Sequence, residues 1–110
     1  MTPDTPAETI APPKLDMASI QRSLEEELKR REDIFRELAP RAIPHVDPVA
    51  YMAAAETRRV MDQLGAALDR ISHGTYGRCV RCGGAVMAAR LEALPYAETC
   101  IVCQNDVESS

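Results

Sequence analysis

The last third of the chain carries all of its cysteines, in two Cys-x-x-Cys pairs with 17 residues between them. These cysteines are Cys79, Cys82, Cys100 and Cys103. Two such pairs can bring four thiolate sulfurs to the corners of one tetrahedron, the coordination of Zn²⁺ in closed structural sites. The two glycines that follow the first pair supply the permissive backbone that a tight turn needs. The spacing predicts one structural zinc ion, with two disulfides as the alternative.

The size of the chain indicates that it needs this metal. Its 110 residues include one Phe, three Tyr and no Trp, so the core is modest and has to be supplemented by a metal or by tight helix packing. A four-cysteine zinc site contributes on the order of 10–16 kcal/mol in small peptides. We therefore expect the cysteine module to unfold without zinc. Because four thiolates leave no open coordination position, an enzyme is not expected.

Charge and the N-terminal composition limit the class of partner. Residues 1–15 are rich in proline, with neither a basic start nor an apolar run, so we expect a disordered tail, no membrane span and a cytoplasmic protein. The alternative for this tail is a short extended segment that docks on a partner. The formal net charge is −4, and the arginines are interspersed with acids. Duplex DNA normally requires a basic face, so direct DNA binding is not expected and a protein partner is favoured.

A first helix is predicted from Asp16 to Leu38, where apolar residues recur every three or four positions among charged ones. Pro40 and Pro44 then prevent its continuation, so residues 39–46 are predicted to form a turn.

A second helix is predicted to run to Ser72. Asp47 is a favourable N-cap, Pro48 suits the first helical position, and Gly74 is placed to end the helix. Its predicted apolar stripe consists of Val49, Met52, Ala53, Val60, Leu64, Ala67, Leu68 and Ile71.

The short turn forces the two helices to run antiparallel, and their narrow apolar stripes can only bury against each other. The predicted fold is mainly α: a two-helix coiled-coil hairpin over residues 16–73, with its tip at about residues 39–52. A small four-cysteine zinc-finger module follows over residues 74–110. It has a short helix within residues 85–94 and a further one or two helical turns after Cys103. A compact three- or four-helix bundle with a zinc staple is the alternative.

The cysteine region resembles the DksA/TraR family of bacterial zinc-finger transcription regulators. The resemblance rests on Gly74-Thr-Tyr-Gly-Arg-Cys79, on Arg90-Leu-Glu-Ala-Leu-Pro95, on Thr99-Cys100-Ile-Val-Cys103 and on the length of the spacer. It implies binding to RNA polymerase, with the zinc module on the rim of the secondary channel and the coiled coil reaching inward. It also implies an acidic tip that alters initiation, and joint action with the alarmone ppGpp.

The tip of this chain departs from the family's Asp-x-x-Asp-x-Ala motif. In the segment from Asp47 to Met52, Asp47 occupies the first acidic position, but Ala50 stands at the second and Met52 at the final alanine. The partner-binding candidates at the tip are therefore Asp47, Ala50, Tyr51 and Met52, with apolar contact by Tyr51 and Met52 in place of charge. Asp47 can equally serve only as an N-cap.

Three arginines are further candidates for partner contact. The resemblance implies basic residues on the second helix, which points to Arg58 and Arg59; the alternative is a solvated face paired with Glu56 and Asp62. Arg90 lies between the cysteine pairs, where it can offset the negative zinc–thiolate centre or meet an acidic partner surface.

Together these features predict a monomeric DksA/TraR-like regulator that binds RNA polymerase through its secondary channel. Its altered tip is expected to change or abolish the usual effect on initiation. The alternative is a zinc-stapled adaptor that engages a different protein and does not act on polymerase.

Overall fold

The computed structural model describes residues 16–109, so the predicted tail over residues 1–15 lies outside the described residues. Helix α1 spans Met17–Leu38 and continues into a short 3-10 turn, Ala39–Arg41. Helix α2 spans Pro48–Ser72. The cysteine region adds helices α3, Ala88–Ala93, and α4, Ile101–Ser109. Over residues 16–109 the fold is thus mainly helical, as predicted.

Helices α1 and α2 pack side by side as an antiparallel hairpin. Its fully buried centre is formed by Leu24 of α1 with Val60, Leu64 and Ala67 of α2. The molecule is elongated, with extents of 67 × 33 × 25 Å, because two helices of this length have only each other to pack against over most of their course. The elongated hairpin is therefore observed rather than the compact bundle.

Capping residues set both ends of α2 where the sequence predicts them. The Asp47 carboxylate accepts a 3.0 Å hydrogen bond from the backbone N–H of Ala50, and Pro48 occupies the first helical position. At the other end Gly74 has φ of 74°, and the N–H of Thr75 donates to the carbonyl of Arg70 over 2.8 Å. This is a Schellman-type ending, which requires the left-handed conformation that glycine adopts without strain.

The inward face of α2 near the tip differs from the predicted stripe. Val49 and Met52 were expected to face the core, but their side chains are 78% and 70% exposed. Instead Ala50, Ala54 and Thr57 are buried, and the Thr57 hydroxyl donates to the carbonyl of Ala53. Both sets of residues recur every three or four positions, so both fit a helical stripe. The buried set consists of small side chains, which allow the two helix backbones to approach closely.

The cysteine region, residues 74–109, forms a compact finger at the open end of the hairpin. Its core comprises Cys79, Val86, Leu91 and Ala97. An isolated antiparallel bridge joins Arg78 to Ala85, which explains why α3 begins later than the predicted stretch of residues 85–94. Tyr76 and Tyr96 pack against the hairpin's buried centre and so connect the finger to the helices.

Candidate metal centre and hairpin tip

The four cysteine sulfurs converge on one point of the finger. All four Sγ atoms lie within 4.8 Å of one another, and those of Cys82 and Cys100 are 3.9 Å apart. Zinc–sulfur bonds of about 2.3 Å in a tetrahedron imply sulfur separations of about 3.8 Å, so the arrangement fits one zinc ion. The cysteines are unbridged, and 3.9 Å is far longer than the disulfide bond of about 2.05 Å. The donor set thus confirms the prediction of one zinc over that of two disulfides.

The backbone around each Cys-x-x-Cys pair turns toward sulfur, as the two-glycine sequence predicts. The N–H of Gly84 donates to Cys82 Sγ over 3.4 Å, and that of Cys103 donates to Cys100 Sγ over 3.5 Å. Gly83 has φ of 77°, a conformation that glycine favours and other residues rarely adopt. These amides stabilise negative charge on sulfur and thus favour the thiolate form that binds metal.

Without metal, the thiols of the cluster differ in acidity. Hydrogen bonds from the backbone amides of Cys82 and Cys100 lower the pKa of the Cys79 thiol to about 6. Hydrogen bonding to the thiols of Cys100 and Cys79 raises the pKa of Cys103 to about 12. Zinc ligands must be deprotonated, so protons compete with the metal and zinc affinity rises with pH. Bound zinc would hold the two Cys-x-x-Cys turns together, a structural role in which its four thiolates leave no site for substrate.

Hydrogen bonds between distant residues brace the metal centre, and nothing local in the sequence indicates them. The Tyr76 hydroxyl donates to the carbonyl of Pro95 over 2.7 Å, which ties the chain before the first cysteine pair to the spacer. Arg90, predicted either to offset the negative zinc–thiolate centre or to meet an acidic partner surface, donates from Nε to the carbonyl of Thr99 over 3.0 Å. Arg90 therefore has an internal structural contact beside Cys100, and its role in partner binding stays a prediction.

At the hairpin tip the four predicted contact residues are placed differently. Tyr51 and Met52 are exposed and accessible, whereas the Asp47 carboxylate is engaged in capping α2. Ala50 is only 3% exposed, so its side chain faces the other helix rather than solvent. This burial argues against direct partner contact through Ala50, and it means that a side chain larger than alanine would not fit there without rearrangement.

The two adjacent arginines of α2 have different surroundings. Arg59 forms a 2.6 Å ion pair with Glu56, in agreement with the solvated-face alternative. Arg58 instead lies over the ring of Phe35 on α1, with its guanidinium carbon 5.7 Å from the ring centroid, a cation–π contact between the helices. The sequence alone does not reveal this contact, because it depends on the register of the two helices.

The finger matches a known family of zinc fingers. Residues 74–109 match the family model described as the prokaryotic dksA/traR C4-type zinc finger. This chain carries the zinc finger of the DksA/TraR family. The resemblance inferred from the cysteine region is thereby confirmed, and so is the expectation of a four-cysteine zinc site.

Two curated relatives are similar to this chain over short stretches. General stress protein 16O of Bacillus subtilis (strain 168) is 39% identical over 51 residues, which are 46% of this chain and 31% of the relative. An uncharacterized protein of Aquifex aeolicus (strain VF5) is 41% identical over 46 residues, which are 42% of this chain and 32% of the relative. These matches therefore span about a third of each relative's length.

Two solved structures are similar to this chain, and one of them shares its fold over most of the chain. The transcription factor DksA2 from Pseudomonas aeruginosa superposes with a TM-score of 0.57 at 20% identity, over 84% of this chain and 78% of that one. The RNA polymerase binding protein and transcriptional regulator Dks from Chlamydia trachomatis L2 (LGV434) gives a TM-score of 0.47 at 24% identity, over 76% and 90% of the two chains. The likeness to DksA2 extends the DksA-type fold beyond the finger to the hairpin. Within residues 16–109, no helix combines the length and the apolar character needed to cross a membrane.

Proposed function

We propose that this chain is a DksA/TraR-like regulator that binds RNA polymerase through the secondary channel. In this proposal residues 16–73 act as a hairpin unit, and the finger of residues 74–109 contacts the channel rim. The observation that carries the proposal is the combination of a DksA/TraR-type finger with a hairpin in one DksA-type fold. The 67 Å length supports it as well, because a slender rod anchored at one end can reach into a narrow channel.

The altered tip is part of the proposal. Ala50 lacks a carboxylate and is buried, and Met52 presents a thioether to solvent instead of a methyl group. The Asp47 carboxylate is held in a hydrogen bond to the helix it caps. We infer that this tip changes or abolishes the effect on initiation that an acidic tip exerts. Joint action with ppGpp, a monomeric state and a cytoplasmic location stay predictions of the sequence.

Gel filtration of the zinc-loaded chain with bacterial RNA polymerase core tests the binding. We expect co-elution of the chain with core, and loss of co-elution for Cys82→Ser, which removes a zinc ligand and with it the shape of the finger. No co-elution of the folded, zinc-loaded chain would refute the proposal. Pull-down of a different protein without polymerase subunits would then favour the adaptor alternative.

The effect of the tip is tested separately, by the lifetime of promoter open complexes in vitro. We expect the natural chain to bind core and to change this lifetime less than a Val49→Asp variant, whose carboxylate is exposed at the tip. Equal lifetimes for the two proteins would show that a missing tip carboxylate does not explain the behaviour of this chain.

A further inference from the structure

The two cysteine pairs of the finger lie on segments that are distant in sequence, and hydrogen bonds within the protein join these segments. We call residues 79–84 the first knuckle and residues 100–103 the second knuckle. The N–H of Val80, in the first knuckle, donates to the carbonyl of Glu98 over 2.8 Å. The Nε of Arg90 donates to the carbonyl of Thr99, the residue before Cys100. Both bonds hold the chain where it enters the second knuckle.

Arg81 holds the other end of the second knuckle. Its Nη1 donates over 3.3 Å to the carbonyl of Cys103, a residue 22 positions away. Arg81 lies between the two cysteines of the first knuckle, and Cys103 is the last cysteine of the second knuckle, in the first turn of α4. The bond therefore runs directly from one ligand pair to the other. Its charged donor makes it stronger than a bond between neutral groups.

Arg78 provides an internal comparison for Arg81. It is also an exposed arginine beside the first cysteine pair, and its Nη1 also donates to a backbone carbonyl, that of Gly83, over 3.2 Å. Because Gly83 belongs to the first knuckle, this bond does not connect the two ligand pairs. The two arginines thus bring the same charge to the metal centre, and they differ in whether their bond crosses between the knuckles.

The chemistry of zinc release gives the bond of Arg81 a role. Four thiolates around Zn²⁺ carry a net negative charge, so a nearby guanidinium stabilises the loaded centre. Release begins when one zinc–sulfur bond opens, and it is completed when a knuckle moves away from the ion. A sulfur that is held close to the ion rebinds at a high effective concentration. A bond that restrains Cys103 therefore favours rebinding over release.

We propose that Arg81 is a positioning residue of the zinc centre: its bond to Cys103 holds the second knuckle against the first and slows release of the metal. Arg81 acts through the backbone of Cys103 rather than on the ion itself. The inference goes beyond the proposed function, because it concerns the retention of zinc and its test does not involve RNA polymerase.

The experiment follows the transfer of zinc from the full, zinc-loaded chain to an excess of the chromogenic chelator pyridylazoresorcinol at neutral pH. We expect Arg81→Met to release zinc about 3- to 30-fold faster than the natural chain, the range for loss of one hydrogen bond from a charged donor. Arg78→Met is the matched control and should release zinc within about twofold of the natural rate. Arg81→Lys keeps the charge but lacks the planar fork of donors, so its rate should be intermediate.

Alkylation of the zinc-loaded chain by iodoacetamide, with peptide mapping, separates positioning from general stability. In Arg81→Met we expect the modification rate of Cys103 to rise relative to that of Cys79, because the lost bond restrained the second knuckle. A general loss of stability would instead raise the rate at all four cysteines alike.

Zinc release from Arg81→Met at the natural rate would overturn the inference, because the bond would then not retain the metal. Equal acceleration in Arg81→Met and Arg78→Met would overturn it in favour of a charge effect, and an equal rise in alkylation at all four cysteines would overturn it in favour of general stability. Should Arg81→Met fail to fold with zinc, Arg81→Lys takes its place, and release from Arg81→Lys at the natural rate would overturn the inference as well.

Discussion

Replacing Ala50 by aspartate is expected to destabilise the hairpin, although the sequence motif of the family places an acid there. Ala50 is 3% exposed, whereas its neighbour Val49 is 78% exposed. Both residues lie in the first turn of α2, where a carboxylate interacts favourably with the helix N-terminus by about 0.3–1 kcal/mol. Val49→Asp is therefore a matched control that shares the helix-end effect but avoids burial.

The difference between the two variants reports the cost of burying and crowding an aspartate at position 50, together with about 0.6 kcal/mol from the loss of alanine's higher helix propensity. Burying a polar group without a partner costs about 1–3 kcal/mol, and forcing extra atoms into a packed site costs about 1–3 kcal/mol more. We expect Ala50→Asp to unfold with a free energy about 2–4 kcal/mol below that of Val49→Asp. For a chain of this size that difference corresponds to a Tm lower by roughly 10–20 °C.

Thermal unfolding of both zinc-loaded variants, followed by circular dichroism at 222 nm, provides the assay, and its pH dependence supplies a second readout. Burial raises the pKa of an introduced carboxyl above its value of about 3.9 in the unfolded chain. The charge-related part of the penalty is therefore fully present at neutral pH and is lost as pH falls through the raised pKa. Equal stability of the two variants at pH 7 would refute the reasoning, because it would show that the side chain at position 50 faces solvent.

Three further predictions concern the finger and its attachment. Chelation of zinc should unfold the finger but reduce the helical circular dichroism by no more than about a quarter, because α3 and α4 contribute 6 and 9 residues against 22 and 25 in α1 and α2. Loss of most of the signal would show that the hairpin does not stay folded without the finger. Tyr76→Phe should lower the free energy of unfolding by about 0.5–1.5 kcal/mol in urea titrations through loss of the bond to Pro95. Burial also raises the pKa of Tyr76, so the contribution of Tyr76 to the free energy of unfolding should be lost as pH rises above about 10, where tyrosine ionises first in the unfolded chain. The same dependence of stability on alkaline pH in Tyr76→Phe would exclude this effect. Gly83→Ala should lower the free energy of unfolding by about 1–2 kcal/mol, because Gly83 has a positive φ. The control Gly65→Ala should raise it by up to about 1 kcal/mol, because Gly65 lies within α2 and a Cβ there would meet no other atom. The reverse order of stabilities would show that the turn at Gly83 tolerates a side chain.

The sequence predicts those features of the structure that depend on local chemistry. The spacing of the cysteines is sufficient to identify the zinc site, because few other arrangements use two such pairs. Asp47 and Pro48 predict the start of α2, and Gly74 predicts its end, since caps are determined by a few neighbouring residues.

Features that depend on the register between distant segments could not be predicted. Val49 and Ala50 are both apolar and both fit a helical stripe, so only the packing of α1 against α2 decides which of them is buried. The bond between Arg90 and Thr99 and the contact between Arg58 and Phe35 likewise form only after the fold has brought these residues together. For the same reason, the sequence alone did not reveal which arginine has an internal contact.

The most direct test of polymerase binding is photo-crosslinking from a defined point of the tip. Tyr51, exposed at the tip, is replaced by p-benzoylphenylalanine, and a second protein carries the same group at Val107, exposed on α4. Each is irradiated in complex with RNA polymerase core, and the crosslinked peptides are identified by mass spectrometry. We predict crosslinks from position 51 to the interior of the secondary channel and from position 107 only to its outer rim. Folded, zinc-loaded proteins that crosslink to core from neither position would contradict the account.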